Sequence, residues 1–331
     1  MTRATPRALR GMVSAPHHLA AQAGRDVLAD GGSAVEAAVA TAACLAVVYP
    51  HMTGIGGDGF WLVAEPDGSN WAIDGCGPAA MAAGPDLYRD HATIPWRGGL
   101  AANTVAGTVA AWQAALTRSG ATLPLDRLLR DAIHHARAGV VVTPGGAQVA
   151  ASVSAALRDL PGDYARVFEP DGRPLREGEV LRQPALATTL MRLAADGLDG
   201  FYRGALARAI AEDLGRLDSP LVADDLAGFA AREVTPLTVA IDGARLLNLP
   251  PPTQGVASLL ILALFDRLRA TEADGFDHVH QLVEATKQAF RWRDAHVGDP
   301  ATMAQDAQAL LDDAAALDRM AAAIDPARAA P

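Results

Sequence analysis

Three glycines, Gly54, Gly56 and Gly59, stand at the G-x-G-x-x-G spacing that can cradle a dinucleotide pyrophosphate. That chemistry needs a strand before the glycines and a helix after them, so that the helix N-terminus faces the phosphate. Here an alanine-rich helical stretch comes first and the apolar run Phe60-Trp61-Leu62-Val63 follows, so the context is inverted. A glycine-rich loop holding Asp58 has two other uses: a plain turn, or an active-site wall of backbone N–H groups. Cys76 sits between Gly75 and Gly77, where a thiol can be exposed. No His, Arg or Lys at fixed spacing activates it, and a small packed thiol is the plainer reading. No G-x-S-x-G elbow supplies a serine, so the chain on its own presents no evident nucleophile.

Nine histidines raise the question of a metal. There is no HExxH. His278 and His280, two apart on a helix, point to different faces, and the neighbours His17/His18 and His134/His135 are expected to diverge. No metal and no cofactor is expected. Glu284, Lys287, Arg291, Arg293 and Asp294 fall at i,i+3 and i,i+4 spacings and read as an ion-pair network.

The elements that position these residues follow from punctuation and periodicity. Ser14 and Pro16 open a helix that Gly31 and Gly32 end. Ser33 and Glu36 form a Ser-x-x-Glu capping box for a buried, alanine-rich helix running to Val48. Phe60 to Val63 reads as a buried strand, returning through Pro66-Asp67-Gly68-Ser69 into Trp71 to Ile73. Helices are expected over 123–137, 184–195, 200–214, 256–268 and 278–291, with paired strands at 237–241 and 245–249. Residues 161–178 read as a surface excursion without a core face, and 309–331 as a poorly packed, mobile tail. The organisation expected is one domain over 1–331.

With 331 residues, 50% hydrophobic and 20% charged, the chain is globular in composition. Its formal charge of -10 disfavours nucleic acid and anionic membranes as partners. The longest nearly uncharged run, Ala37 to Val48, is far short of the ~20 residues a bilayer-spanning helix needs. Two cysteines, no disulfide framework and no secretory leader suggest a cytoplasmic location.

The assembled motifs resemble the γ-glutamyltransferase (γ-glutamyltranspeptidase) family of N-terminal nucleophile hydrolases. The resemblance rests on Gly11-Met12-Val13, Gly31-Gly32-Ser33-Ala34-Val35-Glu36-Ala37-Ala38-Val39, Pro50-His51-Met52 and Gly54-Ile55-Gly56-Gly57-Asp58-Gly59-Phe60. It continues through Gly107-Thr108-Val109, Asp224-Asp225-Leu226, Pro250-Pro251-Pro252-Thr253-Gln254-Gly255 and Gly298-Asp299-Pro300. It implies an α+β fold, a four-layer αββα sandwich completed by a small-subunit chain from the same self-cleaving precursor. The nucleophile would be a threonine opening that small subunit, with its own amine as base. This chain would be the large subunit, with no catalytic residue of its own. Its part would be substrate binding through Gly75, Cys76 and Gly77, with Gly56, Gly57 and Asp58 nearby.

One departure bears on substrate. Aligned on Asp74, Cys76 stands where members using γ-glutamyl compounds carry an arginine that clamps the α-carboxylate. A thiol cannot replace a bidentate guanidinium, a difference of about 1.5 to 3 kcal/mol per charged hydrogen bond. The resemblance therefore points to a small-molecule amide other than glutathione, as in the intracellular amidohydrolases that include oxamate amidohydrolase. The alternatives are a true γ-glutamyltransferase using another arginine such as Arg97, and an inactive binding or assembly subunit.

Overall fold

The computed structural model describes residues 5–270 and 272–330. The chain divides into two compact units, one of Met1–Gly59 with Gly75–Ala231 and the other of Phe60–Asp74 with Arg232–Pro331.

The first unit opens with α1 (His18–Ala29) and α2 (Ala34–Val48). The cap of α1 is His17, not Ser14: its extended backbone lets Nδ1 accept the Leu19 N–H at 3.3 Å. The capping box of α2 forms as the sequence predicts, with Glu36 N–H donating to Ser33 Oγ and Ser33 N–H to Glu36 Oε2 at 2.6 Å. Val39, Ala40, Ala43, Cys44 and Val47 are buried, and α2 packs against α1 and α4. Alanines allow that close approach, so area lost per residue is offset by contact on several sides.

β1 (Gly59–Ala64) and β2 (Asn70–Gly75) form the expected hairpin, closed by Glu65 N–H to Ser69 O at 2.8 Å and by Trp71 Nε1–H to Glu65 Oε1 at 2.7 Å. β1 is not the buried strand the apolar run suggests. Its side chains alternate, leaving Phe60 and Leu62 exposed, because an edge strand of an antiparallel sheet buries only every second residue on one face.

α3 (Thr108–Ser119) and α4 (Leu125–Ala138) follow, then β3 (Val140–Val141), α5 (Pro144–Leu157), α6 (Tyr164–Phe168), β4 (Val180–Leu181) and α7 (Pro184–Asp196). β3 and β4 pair antiparallel around α5 and α6. Residues 161–178 are thus not a bare excursion: they contain α6, and Glu169 at its C-cap is buried against the Arg158 guanidinium at 2.6 Å. α4 and α7 share a core that includes Leu128, Leu129, Leu190 and Leu193, and the unit ends with α8 (Ala205–Arg216) and α9 (Ala223–Ala227).

In the second unit β5 (Arg232–Val234) pairs antiparallel with β2, placing Arg232 opposite Asp74 with Nη2 and Oδ2 2.9 Å apart. β6 (Leu237–Ile241) and β7 (Ala244–Asn248) form the hairpin expected around Asp242 and Gly243. α10 (Gly255–Leu268), α11 (Phe276–His296), α12 (Ala307–Asp312) and α13 (Ala314–Ala322) complete it. The segment expected to be poorly packed is not: Leu311, Leu317, Ala321 and Ile324 are buried with Leu260 and Leu264 of α10 in one apolar cluster. Small residues between those anchors let the terminal helices sit close to α10, which their weak patterning conceals.

Candidate functional site

Gly56, Gly57 and Asp58, which precede β1, meet Gly75, Cys76 and Gly77, which end and follow β2. Asp58 joins them. Its Oδ1 accepts the Gly77 N–H at 3.1 Å and its Oδ2 accepts the Cys76 thiol at 3.8 Å. The loop is fixed from below by the start of α3. The Gly57 carbonyl oxygen accepts N–H groups from Gly107 at 2.8 Å and Thr108 at 2.9 Å. The Thr108 hydroxyl oxygen lies 2.9 Å from the carbonyl oxygens of both Gly57 and Asp58.

Two glycines show why this meeting admits no side chain. A Cβ on Gly77 would overlap the Val105 carbonyl oxygen, and one on Gly75 would lie 2.6 Å from the Gly59 carbonyl oxygen. By contrast, a Cβ on Gly56 or Gly57 would meet nothing within 4 Å, so that side of the loop is open. The result is a wall with a rigid, close-packed back and an open front bearing the Asp58 carboxylate.

Behind it lies Tyr202, 2% exposed. Its hydroxyl donates to Ala106 O at 2.7 Å and accepts the Ala110 N–H at 2.9 Å, pinning both sides of the α3 start. Burial pushes its pKa up to about 12, so it stays a neutral hydroxyl at physiological pH. Sequence reading matched Gly107-Thr108-Val109 as a motif without a role and missed Tyr202 entirely. The Gly107 start of α3 was a usable signal, since Gly and Thr at a helix N-terminus mark backbone crowding or capping. Tyr202 gave none.

The adjacent histidines do not diverge as expected: the His134 and His135 rings meet edge to face with centroids 5.3 Å apart. The His17 and His18 rings stack with centroids 4.7 Å apart. Burial, then the neighbouring His18, His135 and His51, hold the His17 pKa below its usual range, which keeps Nδ1 free to cap α1. Among the described residues, no group of three or more His, Cys, Asp or Glu side chains is placed to hold a metal ion. Arg97 lies over the Trp96 ring at 4.4 Å and borders an apolar cavity of about 390 Å³ walled by residues such as Val140, Val153 and Leu181. None of the six predicted site residues lines that cavity. Pro331, the end of the expected mobile tail, lies outside the described residues.

Comparison with known proteins agrees with this architecture. Residues 20–331 match the family model described as Gamma-glutamyltranspeptidase. The oxamate amidohydrolase proenzyme of Klebsiella pneumoniae subsp. pneumoniae is 48% identical over 97% of this chain and 61% of its own length. The glutathione hydrolase-like YwrD proenzyme of Bacillus subtilis is 36% identical over 91% of this chain and 58% of its own length. The chain thus spans about 60% of the length of these curated relatives. The crystal structure of Helicobacter pylori gamma-glutamyltranspeptidase superposes with a TM-score of 0.92 at 27% identity, covering 99% of this chain and 95% of that one. That of cephalosporin acylase from Bacillus halodurans gives 0.86 at 32% identity, covering 91% of this chain and 57% of that one. The fold is accordingly the α+β fold of the N-terminal nucleophile hydrolases, the class with the four-layer αββα sandwich. By sequence and by fold, this chain belongs to the gamma-glutamyltranspeptidase family.

Proposed function

We infer that this chain is the large-subunit part of a self-processing amide hydrolase acting on a small amide, of the oxamate amidohydrolase kind. The nucleophile is an N-terminal threonine of a small subunit cut from the same precursor. The Asp58-bridged loops, 56–58 and 75–77, wall the acyl pocket. The threonine hydroxyl attacks the amide carbonyl, the amine leaves with a proton from the general base, and water then hydrolyses the acyl ester. The chain's own residues exclude water from one side of the acyl group and hold it in place.

The observation that carries this reading is the convergence on Asp58: the loops at the two ends of the β1–β2 hairpin close on each other with no room for side chains behind and an open face in front. The thiol of Cys76 at the carboxylate-clamp position, together with an acidic neighbour, argues against a γ-glutamyl substrate, whose α-carboxylate would meet no guanidinium from residue 76. The 48% identity to a proenzyme named for oxamate supports the same branch.

The test is expression from the whole reading frame, with intact mass spectrometry followed by assay on oxamate and on γ-glutamyl-p-nitroanilide. Cleavage that exposes a threonine, with ammonia released from oxamate and little nitroaniline, is expected. Preferred turnover of the nitroanilide would establish a γ-glutamyltransferase instead. An intact, inactive product would identify a binding subunit.

A further inference from the structure

α5 sets Val149, Val153 and Leu157 at i, i+4 and i+8, one apolar stripe along the helix. Such a stripe is ordinarily packed against the core. Here all three side chains stay half-buried, because they line the cavity of about 390 Å³ that Arg97 borders. β3 and β4 add Val140 and Leu181 to its wall, and α6 adds Tyr164 and Phe168, one turn apart. Every one of these elements belongs to the first unit. A cleft of this size, with apolar walls and few polar groups, is the usual form of a small-molecule site.

Those few polar groups are informative. Arg97 is the one arginine of the lining, and no Asp, Glu or Lys lines the cavity with it. Its partners are both parts of Trp96, the carbonyl oxygen at 3.0 Å and the ring at 4.4 Å, so among the described residues its charge meets no carboxylate. His51 adds no second charge at neutral pH, because burial holds its pKa below the usual range. Tyr164 adds no negative charge: burial, then the charge of Glu169, raises its pKa, and Glu169 itself is paired with Arg158. The Tyr164 hydroxyl is buried with no hydrogen-bond partner, a donor that the surrounding protein leaves unused.

We propose that this cavity binds a small apolar monocarboxylate, its carboxylate on the Arg97 guanidinium and its hydrocarbon body among the valines and leucines of α5, β3 and β4. One positive charge at the border of an uncharged apolar space selects an occupant with one negative charge and an apolar body. A second carboxylate would enter the apolar wall without a partner, and a neutral hydrocarbon would gain nothing from the guanidinium. Binding of this kind does not require the reaction inferred above.

The test is calorimetric titration of the protein expressed from its whole reading frame with octanoate, octanol and acetate. Octanoate is expected to bind at one site per chain, at least about tenfold more tightly than octanol, which lacks the charge, or acetate, which lacks the body. Arg97→Gln, at an exposed position, should weaken octanoate about tenfold and leave octanol within about twofold. Val153→Trp, which fills the cavity, should abolish binding of both. A wild type that does not bind octanoate would overturn the proposal, as it must if another segment of the full-length product occupies the cavity. So would octanol or acetate binding as tightly as octanoate, wild-type octanoate affinity in Arg97→Gln, or undiminished binding in a folded Val153→Trp.

Discussion

Asp58 accepts the backbone N–H of Gly77 at 3.1 Å, and through that bond the loop entering the β1–β2 hairpin holds the loop leaving it. Eighteen residues lie between them in sequence, most of them in the two strands and their turn. Asp58 is exposed and Gly77 buried, so the carboxylate reaches inward from the open face to a donor at the rigid back. If the two loops form the acyl pocket, this bond sets its width. In the processed enzyme, Asp58→Ala is expected to lower kcat/KM for oxamate about tenfold or more, the scale of one charged hydrogen bond at 1.5–3 kcal/mol. Its melting temperature should also fall, because the buried Gly77 N–H loses this acceptor. Unchanged steady-state kinetics would remove Asp58 from the pocket.

Gly56 and Gly77 should respond in opposite ways to the same methyl group. Gly77→Ala drives a Cβ into the Val105 carbonyl oxygen and must displace backbone, so loss of soluble protein or a sharply lowered melting temperature is expected. Gly56→Ala meets open space and should fold normally, with any effect confined to substrate binding. Thermal melts and KM values of the two variants separate these outcomes; equal stabilities would contradict the close approach of Gly77 to the Val105 carbonyl.

Glu36 is a buried polar tie within the first unit. Beyond its capping box, Oε1 accepts the N–H groups of Thr122 and Leu123 at 2.7 and 2.6 Å, joining the start of α2 to the entry of α4. Burial alone would raise its pKa, but the N–H groups of Ser33, Leu123 and Thr122 outweigh that and lower it. Glu36→Gln sets an amide NH₂ or a weaker neutral acceptor against these donors, and about 1.5–3 kcal/mol of stability should be lost at pH 7. A carboxylate held below its ordinary 4.5 stabilises fully above that pH and loses the contribution as pH falls through the folded-state value. The wild-type advantage in denaturant melts should therefore shrink in acid; a pH-independent gap would show that charge plays no part.

Alkaline stability should reflect two buried acids. Burial, and after it the charge of Asp131, pushes the Cys44 thiol from 9.0 up to about 12, and burial pushes the Tyr202 hydroxyl from 10.0 up to about 12. Both are neutral in the folded chain, where the unfolded chain would release their protons earlier. Their contribution is intact below pH 9 and is lost as pH rises towards 12. Urea midpoints measured from pH 8 to 11 should fall, and less steeply in Cys44→Ala, whose lower overall stability is read separately at pH 8. Identical slopes would assign the fall to other groups.

Whatever depends on near neighbours is legible in the sequence. The Ser33–Glu36 capping box, the hairpins around Gly68 and Gly243 and the limits of α10 all follow from the sequence, because their partners lie close to each other along the chain. Errors arose where local rules compete. Ser14 is a better cap by type than His17, yet His17 has the extended backbone and the nitrogen in place. Phe60 to Val63 is apolar throughout, but period-two geometry at a sheet edge exposes half of it.

The sequence by itself determined the family, the helices and hairpins, and the candidate residues from Gly56 to Gly77, since motif order and periodicity are properties of the chain. Tertiary structure alone decided what those residues touch. Asp58 meets Gly77, Glu36 meets Thr122 and Leu123, Tyr202 pins Ala106 and Ala110, and Glu284 with Lys287 grips Ala330. Each of these bonds closes a loop of nineteen to ninety-six residues. A carboxylate or hydroxyl accepts any N–H that packing brings within 3 Å, so its residue type marks it as a possible partner but leaves the choice of partner to the fold.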